Sequence, residues 1–312
     1  MILTEKVTEL SIGSLSAVRI DGVEYFDTQK VFDCGQCFRF DPVSDSIHEV
    51  EFAGCALGRY ISVAQDGDTL YIYNATAEDY ENIWKQYLGL DRDYGEINAD
   101  ILSLSDNPAL ADAVSRSSGI RILKQDEWEA ICSFIISQNN NIPRIKKLVA
   151  ALCYAAGDEI DVSGMEGHIA DAHKAQNGHF YSFPSPERVL DLGVSGLAEL
   201  KTGFRAKYIY DAASRAERGE IDYDLLFNAE STAHALEHLC KIKGVGPKVA
   251  SCALLFGFSR YDAFPVDVWI KKVIEKYFSD PSKKISDFSP ESLGDYAGIA
   301  QQYLFYYERW NG

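Results

Sequence analysis

The amino-acid pattern predicts an α+β fold: a small antiparallel β-rich N-terminal domain, residues 1–105, packed on a larger all-α body, residues 106–312. Three observations predict it. The first ~75 residues hold short alternating segments bounded by Asp/Gly turns. From residue 77 onward apolar residues recur at three- and four-residue spacing, with helix-start signals between them. At 46% hydrophobic and 25% charged, 312 residues carry enough apolar mass for a real core.

The elements follow in order. Residues 16–20 and 23–26 flank Asp21-Gly22, a hairpin signal. Residues 59–64 and 69–73 alternate around Gln65-Asp66-Gly67-Asp68, a second hairpin. Helical periodicity begins over 77–88. Asn107-Pro108 starts another helix, with Pro at its first position. Residues 126–137 carry Trp128, Ile131, Phe134 and Ile135 at helical spacing behind an acidic first turn. Residues 145–155 continue the pattern. Residues 157–185, rich in Gly, His and Asp, read as loops with short helical pieces, and helices dominate from Pro186.

Composition narrows the function classes. Residues 1–17 contain Glu5 and Glu9 and no continuous apolar run, and no stretch approaches the ~18 apolar residues of a membrane span. An intracellular protein of cytoplasm or nucleoid is expected, with no membrane partner. Seven cysteines, an odd number, point to reduced thiols. Cys34-x-x-Cys37 has no second pair to complete a zinc site, and two small half-buried residues in a strand or turn is the simpler reading. No metal or cofactor is expected. The net charge of −17 argues mildly against nucleic acid, but it is uneven. Residues 1–100 hold 7 basic and 19 acidic residues, whereas 240–276 hold 7 basic and 3 acidic. Phosphate affinity depends on the cations at the contact surface.

The densest information lies at 233–257. A helical segment over 233–240 leads into Lys241-Ile242-Lys243-Gly244-Val245-Gly246-Pro247, and a new helix starts near Lys248. Gly244-Val245-Gly246 permits a sharp turn, and amides at a helix N-terminus favour an anion. Lys241 and Lys243 add charge. The segment reads as a helix–hairpin–helix aimed at a DNA phosphate; its spacing is not that of a nucleotide P-loop. Lys248 sits where the helix dipole disfavours a cation, the direction a nucleophilic amine requires. On spacing alone, a phosphate-binding Lys is the stronger reading. Asp267, in Phe264-Pro265-Val266-Asp267-Val268-Trp269, precedes an amphipathic segment with Trp269, Ile270, Val273, Ile274, Tyr277 and Phe278 on one face. It is a natural N-cap, and a carboxylate held there can also stabilise a cationic sugar.

Together these residues resemble the helix–hairpin–helix (Gly/Pro…Asp) superfamily of DNA glycosylases, and more closely its 8-oxoguanine glycosylase/lyase branch. Residues 32–39 resemble the N-terminal GQxFR block, 134–144 the asparagine-rich helix end, 203–208 a third block, and 300–305 the C-terminal one. The resemblance implies roles at matching positions. Lys248 would attack C1′ and form a Schiff base, and Asp267 would stabilise the oxocarbenium-like state. Gly35 would accept the N7 hydrogen that distinguishes 8-oxoguanine from guanine. Cys252 and Phe305 would sandwich the flipped base, and Gln301 would bond its Watson–Crick edge. Asn139 would fill the vacated stack, while Arg144 and Arg205 would hold the orphaned cytosine. Departures are Trp269, where eukaryotic members have His, and Cys37, where they have Ser. No four-cysteine cluster follows Asp267, unlike the iron–sulfur glycosylases. The partner implied is double-stranded DNA carrying an oxidised guanine, bound by a monomer that excises the base and cleaves the strand by β-elimination. Two other readings remain: the same chemistry on another oxidised purine or an abasic site, and a non-catalytic DNA-binding hairpin.

Overall fold

Tight turns set the architecture of the N-terminal half. In the computed structural model, which describes residues 5–174, 179–278 and 289–311, six strands form one antiparallel sheet. They are β1 (Lys6–Ile12), β2 (Leu15–Asp21), β3 (Phe40–Pro42), β4 (Val50–Ala56), β5 (Arg59–Asp66) and β6 (Thr69–Tyr73), in the spatial order β1-β2-β6-β5-β4-β3. The β5–β6 hairpin lies where the alternation places it, with Asp66 opposite Thr69. Leu57 and Gly58, both at positive φ, close the β4–β5 hairpin, the geometry that matches strand twist.

The hairpin expected around Asp21-Gly22 is not there. β2 pairs instead with β1 and β6. Gly22 and Tyr25 both take positive φ, which breaks the pleat, so residues 23–26 cross the sheet end without forming a strand. Val23 and Phe26 are buried in that crossing. Asp27 then caps the helix Thr28–Asp33 by accepting from the Lys30 amide.

Both sheet faces are covered. One packs Ile20, Ile61, Val63 and Ile72 against Phe32, Phe40, Tyr80 and Trp84. The other packs Ala17, Ala53, Tyr60 and Tyr73 against Met165, Ala170 and Phe180. Of residues 157–185, those around Met165, Ala170 and Phe180 therefore dock on the sheet, which the reading as loops with short helical pieces does not anticipate. The same stretch carries a two-stranded ribbon, Glu159–Ile160 with Phe180–Tyr181, so the second half of the chain is not purely α. Polar contacts fix the docking: the His168 ring meets the Glu51 carboxylate at 2.7 Å, and the Ala170 amide donates to the Tyr60 hydroxyl at 3.0 Å.

The helical body is organised around Glu127–Ser137, whose residues Ala130–Ile136 are all buried. Pro247–Gly257 packs along it, with Gly257 so close to Ala130 that a β-carbon would lie 2.9 Å away. Asn107 and Pro108 cap and open Pro108–Ser117 as their sequence suggests. Ala297–Asn311 packs against Pro108–Ser117 and returns to the N-terminal half, where the Gln302 amide donates to the Cys34 carbonyl. Among the described residues, no helix is long and apolar enough to cross a membrane.

Candidate active site

The hairpin joins Thr232–Leu239 to Pro247–Gly257. Gly244 has φ +78°, and a β-carbon there would stand 2.3 Å from the Tyr208 ring, so only glycine fits. Most of the loop amides are taken internally: those of Lys241, Ile242 and Val245 donate to the His238, Leu239 and Ile242 carbonyls, and that of Lys243 to Asp211. Those of Gly244 and Gly246 have no protein acceptor among the described residues. Lys241 and Lys243 are exposed, whereas Val245 is buried and anchors the loop.

Pro247 takes the first helical position, which puts Lys248 in the first turn, one side of a small cavity. That cavity, of about 60 Å³, is lined by Lys248, Asp267, Gly35, Cys252, Gln301 and Phe305, the six residues expected to read and attack the base. They come from segments 34–36, 247–257, 265–267 and the C-terminal helix, so only the tertiary fold brings them together. The Lys248 ammonium also lies 5.6 Å from the centre of the Phe134 ring and hydrogen-bonds the Cys252 sulfur. Burial pushes the Cys252 thiol up, against the opposing pull of Lys248, so the sulfur stays protonated and does not compete as a nucleophile.

Asp267 caps the next helix, accepting from the Trp269 and Ile270 amides at 2.9 and 2.8 Å. Capping fixes the carboxylate at the cavity wall, so its structural role leaves it facing the site. That helix differs from expectation. It is α only over Val268–Val273 and continues as a wider π turn, Ile274–Phe278. Ile270, Val273 and Ile274 are buried, but Trp269 is 44% exposed, with the Lys272 ammonium 4.9 Å from its ring.

Gly35 adopts φ +84°, and a β-carbon would come within 3.2 Å of Ile142. Its backbone is held from both sides. Gln302 donates to the Cys34 carbonyl, and Gln36 bridges Val31, Arg121 and Leu123. Gln36 and Gln302 were missed as site residues, as were Phe134 and Pro265 in the cavity wall. The GQxFR block was the available signal for Gln36; nothing local marks Gln302. Beside it, Gln301 lines the cavity, is 4% exposed, and its buried Oε1 has no hydrogen-bond donor among the described residues. Cys34 and Cys37 are both buried free thiols; burial lifts the Cys34 pKa to about 12, and that of Cys37 higher still. Burial thus disfavours the thiolate at both positions.

The asparagine-rich turn stands apart from the cavity. Asn139 is exposed at φ +51°, and Asn141 caps Ile142–Ala156. Arg205 is buried and spends its guanidinium on the carbonyls of Gln138, Asn139 and Thr202. Here it holds the Asn139 turn in shape. Arg144 is exposed, with one weak bond to the Lys201 carbonyl at 3.4 Å. The two arginines are neighbours: burial first, and then the Arg144 charge, lower the pKa of Arg205.

Comparisons with known proteins agree with this geometry. Residues 18–131 match the 8-oxoguanine DNA glycosylase N-terminal domain, and residues 132–291 the HhH-GPD superfamily of base excision DNA repair proteins. The Clostridium acetobutylicum 8-oxoguanine glycosylase/lyase, solved with double-stranded DNA containing cytosine opposite 8-oxoguanine, is 36% identical, with a TM-score of 0.85 over 98% of each chain. A structure of MBOgg1 with a low affinity DNA ligand is 40% identical over 97% of this chain and 98% of that one, with a TM-score of 0.83. The Arabidopsis thaliana N-glycosylase/DNA lyase OGG1 is 26% identical over 88% of this chain and 75% of its own. The chain belongs to the 8-oxoguanine DNA glycosylase branch of the HhH-GPD superfamily and is a bifunctional base-excision-repair glycosylase and DNA lyase.

Proposed function

We propose that this protein removes 8-oxoguanine from duplex DNA through a covalent intermediate on Lys248. The observation that carries the reading is the convergence of the Lys248 amine, the Asp267 carboxylate, the unpaired Gln301 acceptor and the Gly35 backbone on one cavity. A base inside a duplex hides its glycosidic bond, so the nucleotide must first be extruded. The neutral Lys248 amine then attacks C1′, and the bond to N9 breaks as the purine leaves with the electron pair and takes a proton. Asp267 stabilises the positive charge that develops on the sugar. Ring opening gives the imine, which acidifies C2′. Loss of that proton expels the 3′ phosphate and breaks the strand.

Lesion choice rests on the other residues. Gly35 offers its carbonyl to the N7 hydrogen of the oxidised base, and Gln301 meets the Watson–Crick edge. Guanine would leave such a polar contact unpaired. Cys252 and Phe305 supply the sandwich. Phe305, half-buried on the C-terminal helix, has more room to adjust to an entering base than buried Cys252. Asn139 and Arg144 face the vacated and opposite positions, with Arg205 supporting their turn. Lys241, Lys243 and the amides of Gly244 and Gly246 grip the backbone. One chain supplies every group, which favours action as a monomer.

Borohydride trapping tests the mechanism. A covalent adduct should form on duplex carrying 8-oxoguanine opposite cytosine and vanish in Lys248→Gln with DNA binding retained. A folded wild-type protein that gives no adduct would sink the covalent route. Stronger trapping on another oxidised purine would move the substrate while keeping the chemistry.

A further inference from the structure

A second cavity, of about 500 Å³, lies beside the base pocket and takes no part in the chemistry above. It opens between the helix Ile142–Ala156, the Phe38–Asp41 segment and the residues Ala172, His173, Phe180 and Tyr181. Its size falls in the range of pockets that hold small organic ligands. Its lining has two characters. Phe38, Phe180, Tyr154 and Tyr181 give aromatic walls, and Tyr154, 72% exposed, meets Tyr181 edge-on at 5.2 Å. Four basic residues, Arg39, Lys146, Lys147 and Arg309, outnumber Asp33 and Asp41. Arg39 is answered by Glu129 at 3.1 Å, outside the lining, which leaves Lys146, Lys147 and Arg309 against the two acids.

The two acids do not cancel these cations. Asp41 is answered by Lys146 at 2.8 Å and by His173 at 3.5 Å. Burial raises the Asp33 carboxyl above its ordinary range, which weakens its repulsion of an anion. Lys147 stands exposed at the rim and has no protein partner among the described residues. It lies one helical turn beyond Arg144, on the helix that begins at the Asn139 turn.

We infer that this cavity binds a nucleotide unit, its base against Tyr154, Tyr181 and Phe180 and its phosphate on Lys147. An aromatic slot beside an unpaired lysine matches a planar base joined to an anion. The unit is either a free mononucleotide or an unpaired nucleotide of a bound strand. Its occupant would bear on the base pocket. Ile142 and Arg309 line the cavity and also crowd Gly35, at 3.2 and 3.9 Å from where its β-carbon would be. Phe38 meets Phe134, the ring beside Lys248, at 5.6 Å.

Calorimetric titration of the full chain with dGMP tests the site. Saturable binding is expected, with deoxyguanosine and inorganic phosphate each at least tenfold weaker. Ala150→Trp, which fills the cavity from an exposed helix position, and Lys147→Glu at the rim should each weaken dGMP by at least tenfold. Gln301→Ala, in the base pocket, should leave dGMP affinity within twofold. A short single-stranded oligonucleotide separates the sources: weakening by Ala150→Trp assigns the site to a strand nucleotide, and an effect confined to dGMP assigns it to the free one. The inference is overturned if dGMP shows no saturable binding. It is equally overturned if both substitutions leave binding unchanged while the melting temperature and the excision of the lesion stay at wild-type levels.

Discussion

Gln301 shows how one residue can be costly to folding and useful to function. A buried amide oxygen without a donor costs about 1–3 kcal/mol, a cost recovered when a base edge supplies the donor. Gln301→Ala should therefore leave the melting temperature equal to or above wild type and slow excision of 8-oxoguanine by roughly tenfold to a hundredfold in single-turnover kinetics. Gly35 is constrained differently. Gly35→Ala forces a side chain into positive φ, worth about 1–2 kcal/mol, and presses its methyl toward Ile142. Stability and excision should fall together there, as thermal melting and kinetics on the same sample would show.

At the scale of elements, the hairpin and the Asn139 turn are held by contacts that local patterns do not display. Gly244→Ala drives a β-carbon into the Tyr208 ring and should lower DNA affinity more than it lowers helix content, as binding titration and circular dichroism would separate. Arg205→Lys keeps the charge but loses the fork that spans three carbonyls. Its expected effect is a loosened Asn139 turn, read as reduced discrimination between cytosine and other bases opposite the lesion. Much of this was legible beforehand. The β5–β6 hairpin, the Asn107-Pro108 start, the hairpin glycines and the Asp267 cap are written in adjacent residues. β1 escaped because its residues are mostly exposed and carry Glu9 in mid-strand, leaving a weak alternation. The docking of residues 165–170 escaped because its partners are distant: His168 and Glu51 are 117 residues apart. The bonds of Arg205 to three carbonyls escaped because nothing nearby in sequence reveals them.

For the whole molecule, charge and pH act through distribution rather than totals. If Lys241 and Lys243 each neutralise a phosphate, replacing both by Gln should flatten the slope of log affinity against log salt by about two units despite the acidic total. Glu51 ties the docked residues 165–170 to the sheet. Burial raises its pKa, but hydrogen bonds from His168, Ser46 and Ser62 prevail, and the carboxyl ends below its ordinary range. Its contribution is then present above the unfolded carboxyl's pKa and is lost as pH falls through the lower folded value. Thermal melting should drop on acidification below about pH 4.5, less steeply in Glu51→Gln. A last consequence follows from the bond between Gln302 and Cys34, which spans 268 residues. Contacts of such separation close late, because the loop entropy comes first. During synthesis Lys248 leaves the ribosome before the C-terminal helix, and the cavity it lines is complete only once that helix docks, so a nascent or partly unzipped chain carries the amine without its pocket.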